Sequence, residues 1–112
     1  MVTAPDRADV VWLDFNPQAG HEQAGLRPAL VLSPKDYNRK SGLAVFAPVT
    51  SKVKGYPYEV QLPPGLPVQG VVLADQVRSM DWRTRRARSF GRVPEGVVDD
   101  VVARLNTLIG ID

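Results

Sequence analysis

Three short stretches of the chain carry side chains whose types and spacing suit chemistry on an oxyanion. Gly20-His21-Glu22-Gln23-Ala24-Gly25-Leu26-Arg27-Pro28 sets an imidazole, a carboxylate and a guanidinium around two glycines. Arg27 precedes a proline, which biases its backbone to an extended form where a strand begins. A guanidinium on such a rigid base can clamp two phosphate oxygens and stabilise charge that grows in a transition state. Glu22 can take a proton if burial raises its pKa. The plainer alternative is a surface ion pair between Glu22 and Arg27, of little energetic value.

Val49-Thr50-Ser51-Lys52-Val53-Lys54-Gly55-Tyr56 places two hydroxyls after an apolar run and before two lysines. Hydroxyls at a strand end can hold a phosphate, or they can cap an ordinary turn. In Leu73-Ala74-Asp75-Gln76-Val77-Arg78 an acid and an amide interrupt an apolar strand. They are either turn formers or groups that read base edges. Tyr37, Tyr56, Tyr58 and Trp82 are of a type that stacks on bases, and equally of a type that fills a core or its rim.

Ten prolines and nine glycines punctuate the chain, a density that favours short strands and turns over a helical bundle. Strands are expected over Asp9 to Phe15, Ala29 to Leu32, Leu43 to Val49, Tyr58 to Leu62 and Gly70 to Ala74. Val77 to Trp82 extends or flanks the last of these, and Arg83 to Arg92 reads as a half-exposed basic strand. Asn16 to Arg27 and Thr50 to Gly55 are polar loops, and Lys35 to Lys40 is one helical turn stopped by Ser41-Gly42. Pro94 and Glu95 suit a helix start. Val97, Val98, Val101, Val102, Leu105, Leu108 and Ile109 recur at helical period on one face, with Gly110 just past the end. These elements build a small, mainly β barrel closed by a C-terminal helix.

The 112 residues suffice for one domain, 1–112, with its own core. The absence of cysteine removes disulfides, thiolate zinc sites and thiol nucleophiles, and a single histidine argues against a protein-built transition-metal site. No apolar run is long enough to span a bilayer as a helix and no signal peptide is evident, so the chain reads as soluble and intracellular. The net charge of +2 conceals two basic segments, Arg27 to Lys54 and Arg78 to Arg92, each at +5, against −8 in the remainder. Charge sorted in this way favours a polyanionic partner, unless the segments intermix in space.

The order of these motifs resembles the MazF/PemK (Kid) family of toxin endoribonucleases, closest to the MazF branch. The matching stretches are Val11-Trp12-Leu13-Asp14-Phe15, Gly20 to Gly25, Arg27 to Pro34, Tyr37-Asn38, Pro48 to Ser51, Lys54 to Pro57 and Leu73 to Val77. The resemblance implies an SH3-like (CcdB/PemK-like) β-barrel with a C-terminal helix, forming a homodimer in the cytoplasm. It implies cleavage of single-stranded RNA, including mRNA, at short sequences, without metal or cofactor. The 2′-hydroxyl attacks the neighbouring phosphate, leaving a 2′,3′-cyclic phosphate and a 5′-hydroxyl, and translation and growth stop. The implied partner is a MazE-like antitoxin with a disordered acidic tail, through which alone DNA would be contacted.

Carried over by motif, Arg27 and Thr50 fall on catalytic positions of the MazF branch and Glu22 on its functional glutamate. His21 and Asp75 fall on positions assigned to catalysis in the Kid branch. That branch has an arginine where this chain has Leu73, so the Arg27/Thr50 scheme is preferred here. His21, Ser51, Lys52, Lys54, Tyr56, Asp75 and Gln76 are then expected to contact RNA. Two other readings are a superfamily member that poisons gyrase by protein contact and a plain RNA-binding SH3-like module. The lack of any aromatic residue after Phe90 counts against the first.

Overall fold

Val10, Val11, Leu13 and Phe15 are fully buried, Val10 in a core on one face of the sheet and Val11, Leu13 and Phe15 in a core on the other. A strand apolar on both faces needs cover on both sides, and the architecture follows from this. The structure, a computed structural model, describes residues 3–16 and 25–110. It contains β1 (Asp9–Asp14), β2 (Leu26–Val31), α1 (Lys35–Ser41), β3 (Leu43–Thr50), β4 (Glu59–Gln61), β5 (Val71–Leu73), β6 (Arg78–Asp81), β7 (Arg88–Arg92) and α2 (Glu95–Ile109). A 3-10 turn, Ala74–Gln76, joins β5 to β6.

All strand pairs are antiparallel, and the sheet runs β4-β5-β3-β2-β1-β7, with β6 also paired to β3. β3 is the hub. Its first half pairs with β6 and its last two residues, Val49 and Thr50, with β5. The path stays open between β4 and β7, so the expected barrel is a curved sheet rather than a closed ring. One core packs Val97, Val98 and Val101 of α2 on Val10, Leu30, Ala47, Val49 and Val72. The other gathers Leu13, Phe15, Ala29, Val31, Phe46, Met80 and Trp82 on the opposite face.

Two expectations need correction. Arg83 to Arg92 is a strand only from Arg88 onward. The Asp81 carboxylate accepts the backbone N–H groups of Arg83 (3.0 Å) and Thr84 (2.9 Å), and Arg86 adopts a left-handed φ of 57°. These bonds fold residues 82–86 into a turn, because an acidic side chain that captures N–H groups a few residues on competes with the sheet ladder. They also hold the Asp81 pKa down, the Thr84 N–H contributing most. The turn is therefore supported above the ordinary carboxylate range and loses that support as acid protonates Asp81. The second correction concerns α2. Its apolar face outruns the sheet, and Leu108 and Ile109 are exposed.

Asn38 is the polar centre of the second core and is fully buried. Its amide donates to the carbonyls of Pro5 (2.8 Å) and Ser33 (3.0 Å) and its oxygen accepts the Ser33 hydroxyl (2.6 Å). The Asn38 carbonyl accepts the Trp82 indole N–H at 2.7 Å. Asn38→Ala would strand two carbonyls in a buried site and leave the Ser33 hydroxyl only its bond from the Val45 N–H, and each stranded group costs roughly 1–3 kcal/mol. We expect about 3 kcal/mol of destabilisation, read as a fall of roughly 10 °C in Tm. A fall under about 2 °C would show that water replaces the lost partners.

Candidate active site

Arg27 lies at the start of β2 and Thr50 at the end of β3. The β2–β3 ladder pairs Val31 with Phe46, Leu30 with Ala47 and Ala29 with Pro48. Continued two residues further, this register sets Arg27 level with Thr50, on the same face of neighbouring strands. Pro28 and Pro48 carry no N–H, so the pairing stops where they occur. Beyond them β2 and β3 no longer pair with each other, each keeping its other neighbour (Leu13 for Arg27, Val71 for Thr50), with a guanidinium on one strand end and a hydroxyl on the other. Arg27 is half-buried beside its β1 partner Leu13, and Thr50 is buried. β2 thus begins three residues before the Ala29 expected from the sequence, and takes Arg27 into a strand.

The Thr50 hydroxyl accepts the Lys52 N–H at 3.1 Å. It caps the turn after β3, as one reading of the sequence had it. That bond uses an oxygen lone pair and leaves the hydroxyl proton able to donate to a ligand, so capping and phosphate binding are compatible. Thr50 pairs with Val71, and Gly70 just before it approaches the Thr50 carbonyl so closely that a Cβ there would lie 2.1 Å from the oxygen. Ser51, Lys52 and Lys54 are exposed on the following loop. The Glu59 carboxylate closes this loop, accepting the N–H groups of Lys54 (3.0 Å) and Gly55 (2.8 Å). Neither Gly70 nor Glu59 stood out in the sequence, since each acts through a backbone that only folding brings near.

Tyr56 and Asp75, distant in sequence, do meet. The phenol donates to the Asp75 carboxylate at 3.1 and 3.2 Å. Asp75 and Gln76 belong to the 3-10 turn, with Asp75 exposed and Gln76 half-buried. Burial raises the Tyr56 pKa, and the Asp75 charge, the hydrogen bond to it and the Glu59 charge push the same way. The phenol therefore stays a donor through neutral pH. The stability this gives is complete below the ordinary phenol pKa and is lost as pH climbs through the raised one. Tyr56→Phe should remove a phenolate absorbance step above the usual tyrosine range, and Asp75→Asn should move that step downward. An unchanged step in Asp75→Asn would mean that the pair does not form in solution.

His21 and Glu22 lie outside the described residues. Among the described residues, no three histidine, cysteine, aspartate or glutamate side chains gather where they could hold a metal ion. A groove of about 1090 Å³ runs beside the start of β2, lined by Trp12, Asn16, Leu26 and five arginines at 83, 85, 86, 88 and 92. Arg27 and Thr50 do not line it; Leu26 connects it to Arg27 along the chain. Five of the six arginines of the second basic segment thus gather on one concave surface, although Asp6, Asp9 and Asp14 also border it. Trp12 stacks on Phe90 there, with ring centroids 5.1 Å apart.

The family model for the PemK-like, MazF-like toxin of type II toxin–antitoxin systems matches residues 6–109. The chain is 49% identical over 106 residues to the endoribonuclease toxin MazF of Escherichia coli K12, covering 95% of each chain. It is 35% identical to the Escherichia coli endoribonuclease PemK, over 93% of this chain and 81% of that one. A crystal structure of MazF from Deinococcus radiodurans superposes with a TM-score of 0.94 at 55% identity, covering 98% of this chain and all of that one. A MazE–MazF crystal structure from the same organism gives a TM-score of 0.89 at 54% identity, covering 99% of this chain and all of that one. A sheet, a closing helix and an ordered set of motifs that coincide over nearly the whole length leave one assignment: the chain belongs to the PemK-like, MazF-like toxins of type II toxin–antitoxin systems.

Proposed function

We propose that this toxin is a metal-independent, sequence-specific endoribonuclease that cuts single-stranded RNA, mRNA included, and so arrests translation and growth. The observation that supports the reading is the β2–β3 register, which, carried two residues past its last pair, brings Arg27 opposite Thr50. The ribose 2′-oxygen attacks the adjacent phosphorus, the bond from phosphorus to the 5′-oxygen breaks, and the products are a 2′,3′-cyclic phosphate and a 5′-hydroxyl. A guanidinium stays protonated, so Arg27 is no general base. Its part is to neutralise the extra negative charge of the five-coordinate transition state, while the Thr50 hydroxyl donates to a non-bridging oxygen. Glu22, or a group coupled to it, takes the 2′-proton, and the departing 5′-oxygen takes a proton from solvent to become the 5′-hydroxyl.

Lys52, Lys54 and the exposed arginines 83, 86 and 88 of the groove supply a salt-sensitive hold on the RNA backbone. His21, Ser51, Tyr56, Asp75 and Gln76 contact unpaired nucleotides, whose base edges and stacking set the sequence choice. A MazE-like antitoxin with an acidic tail competes for the same positive surface; relatives crystallised as MazE–MazF complexes support this partner. A second copy of the chain completes a homodimer, for which exposed Leu108 and Ile109 offer apolar surface. No described helix is long and apolar enough to cross a membrane, and the cytoplasm, where mRNA is translated, is the proposed place of action.

The test is incubation of the purified protein with a defined single-stranded RNA in EDTA. Cleavage at a short sequence, leaving cyclic-phosphate and 5′-hydroxyl ends, is expected. Binding without cleavage would leave an RNA-binding module, and inhibition of gyrase with the RNA intact would select the protein-binding toxin.

A further inference from the structure

We propose that Arg85, in the turn after β6, is a positioning residue for Arg27: it fastens the neck from which β2 starts. The inference rests on the endoribonuclease reading and extends it to a residue that does not touch substrate. Arg83, Arg86 and Arg88 are exposed, whereas Arg85 between them is half-buried. Its guanidinium donates to the backbone carbonyls of Asp14, at 3.1 Å, and Asn16. The Asp14 N–H returns a bond to the Arg85 carbonyl at 3.3 Å. A cation that spends its donors on main-chain oxygens is fixing a backbone, whereas its neighbour Arg83 lays its guanidinium over the Trp82 ring.

The backbone it fixes leads directly to Arg27. The Asn16 side-chain oxygen accepts the Gly25 N–H at 3.0 Å, and the Phe15 N–H donates to the Gly25 carbonyl at 2.9 Å. Asp14 then pairs with Leu26 and Leu13 with Arg27. Three links therefore run from Arg85 to Asn16, to Gly25, and two residues along the chain to Arg27. The other end of the clamp is also anchored. The Ala87 N–H donates to the Trp82 carbonyl at 2.8 Å, and the Trp82 indole is tied to the carbonyl of buried Asn38. Arg85 thus couples a rigid core to the first residues of β2, close to where the ladder to β3 has ended and no longer steadies the strand.

Arg85→Ala should lower the single-turnover cleavage rate by roughly tenfold or more, since small misplacements of a catalytic group are costly, and leave KM within about a factor of three. Asn16→Ala should give a similar loss, and the double variant little more than either alone, as expected for links in one chain of contacts. Arg85→Lys, which keeps a cation able to reach at least one carbonyl, should recover part of the rate. An arginine that simply holds RNA would behave differently: KM would rise, the salt dependence of binding would flatten and the rate at saturation would stay. That outcome for Arg85→Ala overturns the proposal, as do additive losses in the double variant.

Hydrogen exchange separates this inference from the enzymatic reading. The Gly25 amide should exchange faster in Arg85→Ala than in the unaltered protein, with α2 amides unchanged. Unchanged Gly25 exchange refutes the clamp even if RNA is cut. Faster exchange in a protein that cuts no RNA keeps the clamp and refutes the nuclease reading. Should Arg85→Ala not fold, Arg85→Lys and Asn16→Ala carry the same comparison.

Discussion

Arg27→Ala should cut RNA at least a hundredfold more slowly than the unaltered protein in single turnovers, with RNA binding weakened far less. The difference follows from when the charge is needed. Ground-state RNA already carries one negative charge per phosphate, and many lysines and arginines share the task of holding it. The second charge exists only in the transition state, at one phosphorus. A preorganised donor aimed at such a charge typically contributes 10²–10³ in rate. Arg27→Lys keeps the charge but loses the planar fork, so an intermediate rate is expected. Half-burial at a strand start, beside Leu13, makes the alanine variant close to normal in Tm. A rate loss below about fivefold in a folded variant would remove Arg27 from the chemistry.

The legible parts of this protein are those that local sequence determines. β1, the α1 turn with its Ser41-Gly42 stop, and the start and end of α2 follow from alternation, helical period and cap residues within a few positions. Arg27 and Thr50 were legible as residue types flanking apolar runs, and the Tyr56–Asp75 bond joins two of the expected contacts. What could not be read there depends on register. Nothing in Gly20 to Pro28 says that Arg27 pairs with Leu13, or that the β2–β3 register ends at the Ala29–Pro48 pair. The basic segment misled because Asp81 redirects two N–H groups that alternation alone would give to a sheet. Glu59 and Arg85 escaped notice because their partners are backbone atoms, and backbone leaves no mark in a sequence. The uncovered end of α2 follows from how far the sheet extends, which the helix's own periodicity does not contain.

Gly70→Ala should cost about 3 kcal/mol and impair cleavage as well. The glycine has a φ of +112°, a region that L side chains avoid, which alone costs on the order of 1–3 kcal/mol. A Cβ would also sit 2.1 Å from the Thr50 carbonyl oxygen, 2.8 Å from its carbon and 3.0 Å from the Ser51 Cα. All three are main-chain atoms of the turn that presents the hydroxyl, so no side-chain rotation can relieve the contact. Either residue 70 withdraws and weakens the β3–β5 pairing, or the Thr50 peptide moves and takes the hydroxyl away from the phosphate. In a domain of this size the destabilisation corresponds to a Tm lower by roughly 10 °C. The second consequence is separable, because cleavage measured well below the new Tm should still fall, and by more than in a comparably destabilised variant such as Asn38→Ala. Asn38 sits in the other half of the molecule, bonded to Pro5, Ser33 and Trp82, whereas Gly70 bears directly on one of the two strand ends that carry the chemistry. Equal residual activity in the two variants would show that the position of Thr50 matters no more to the reaction than stability in general.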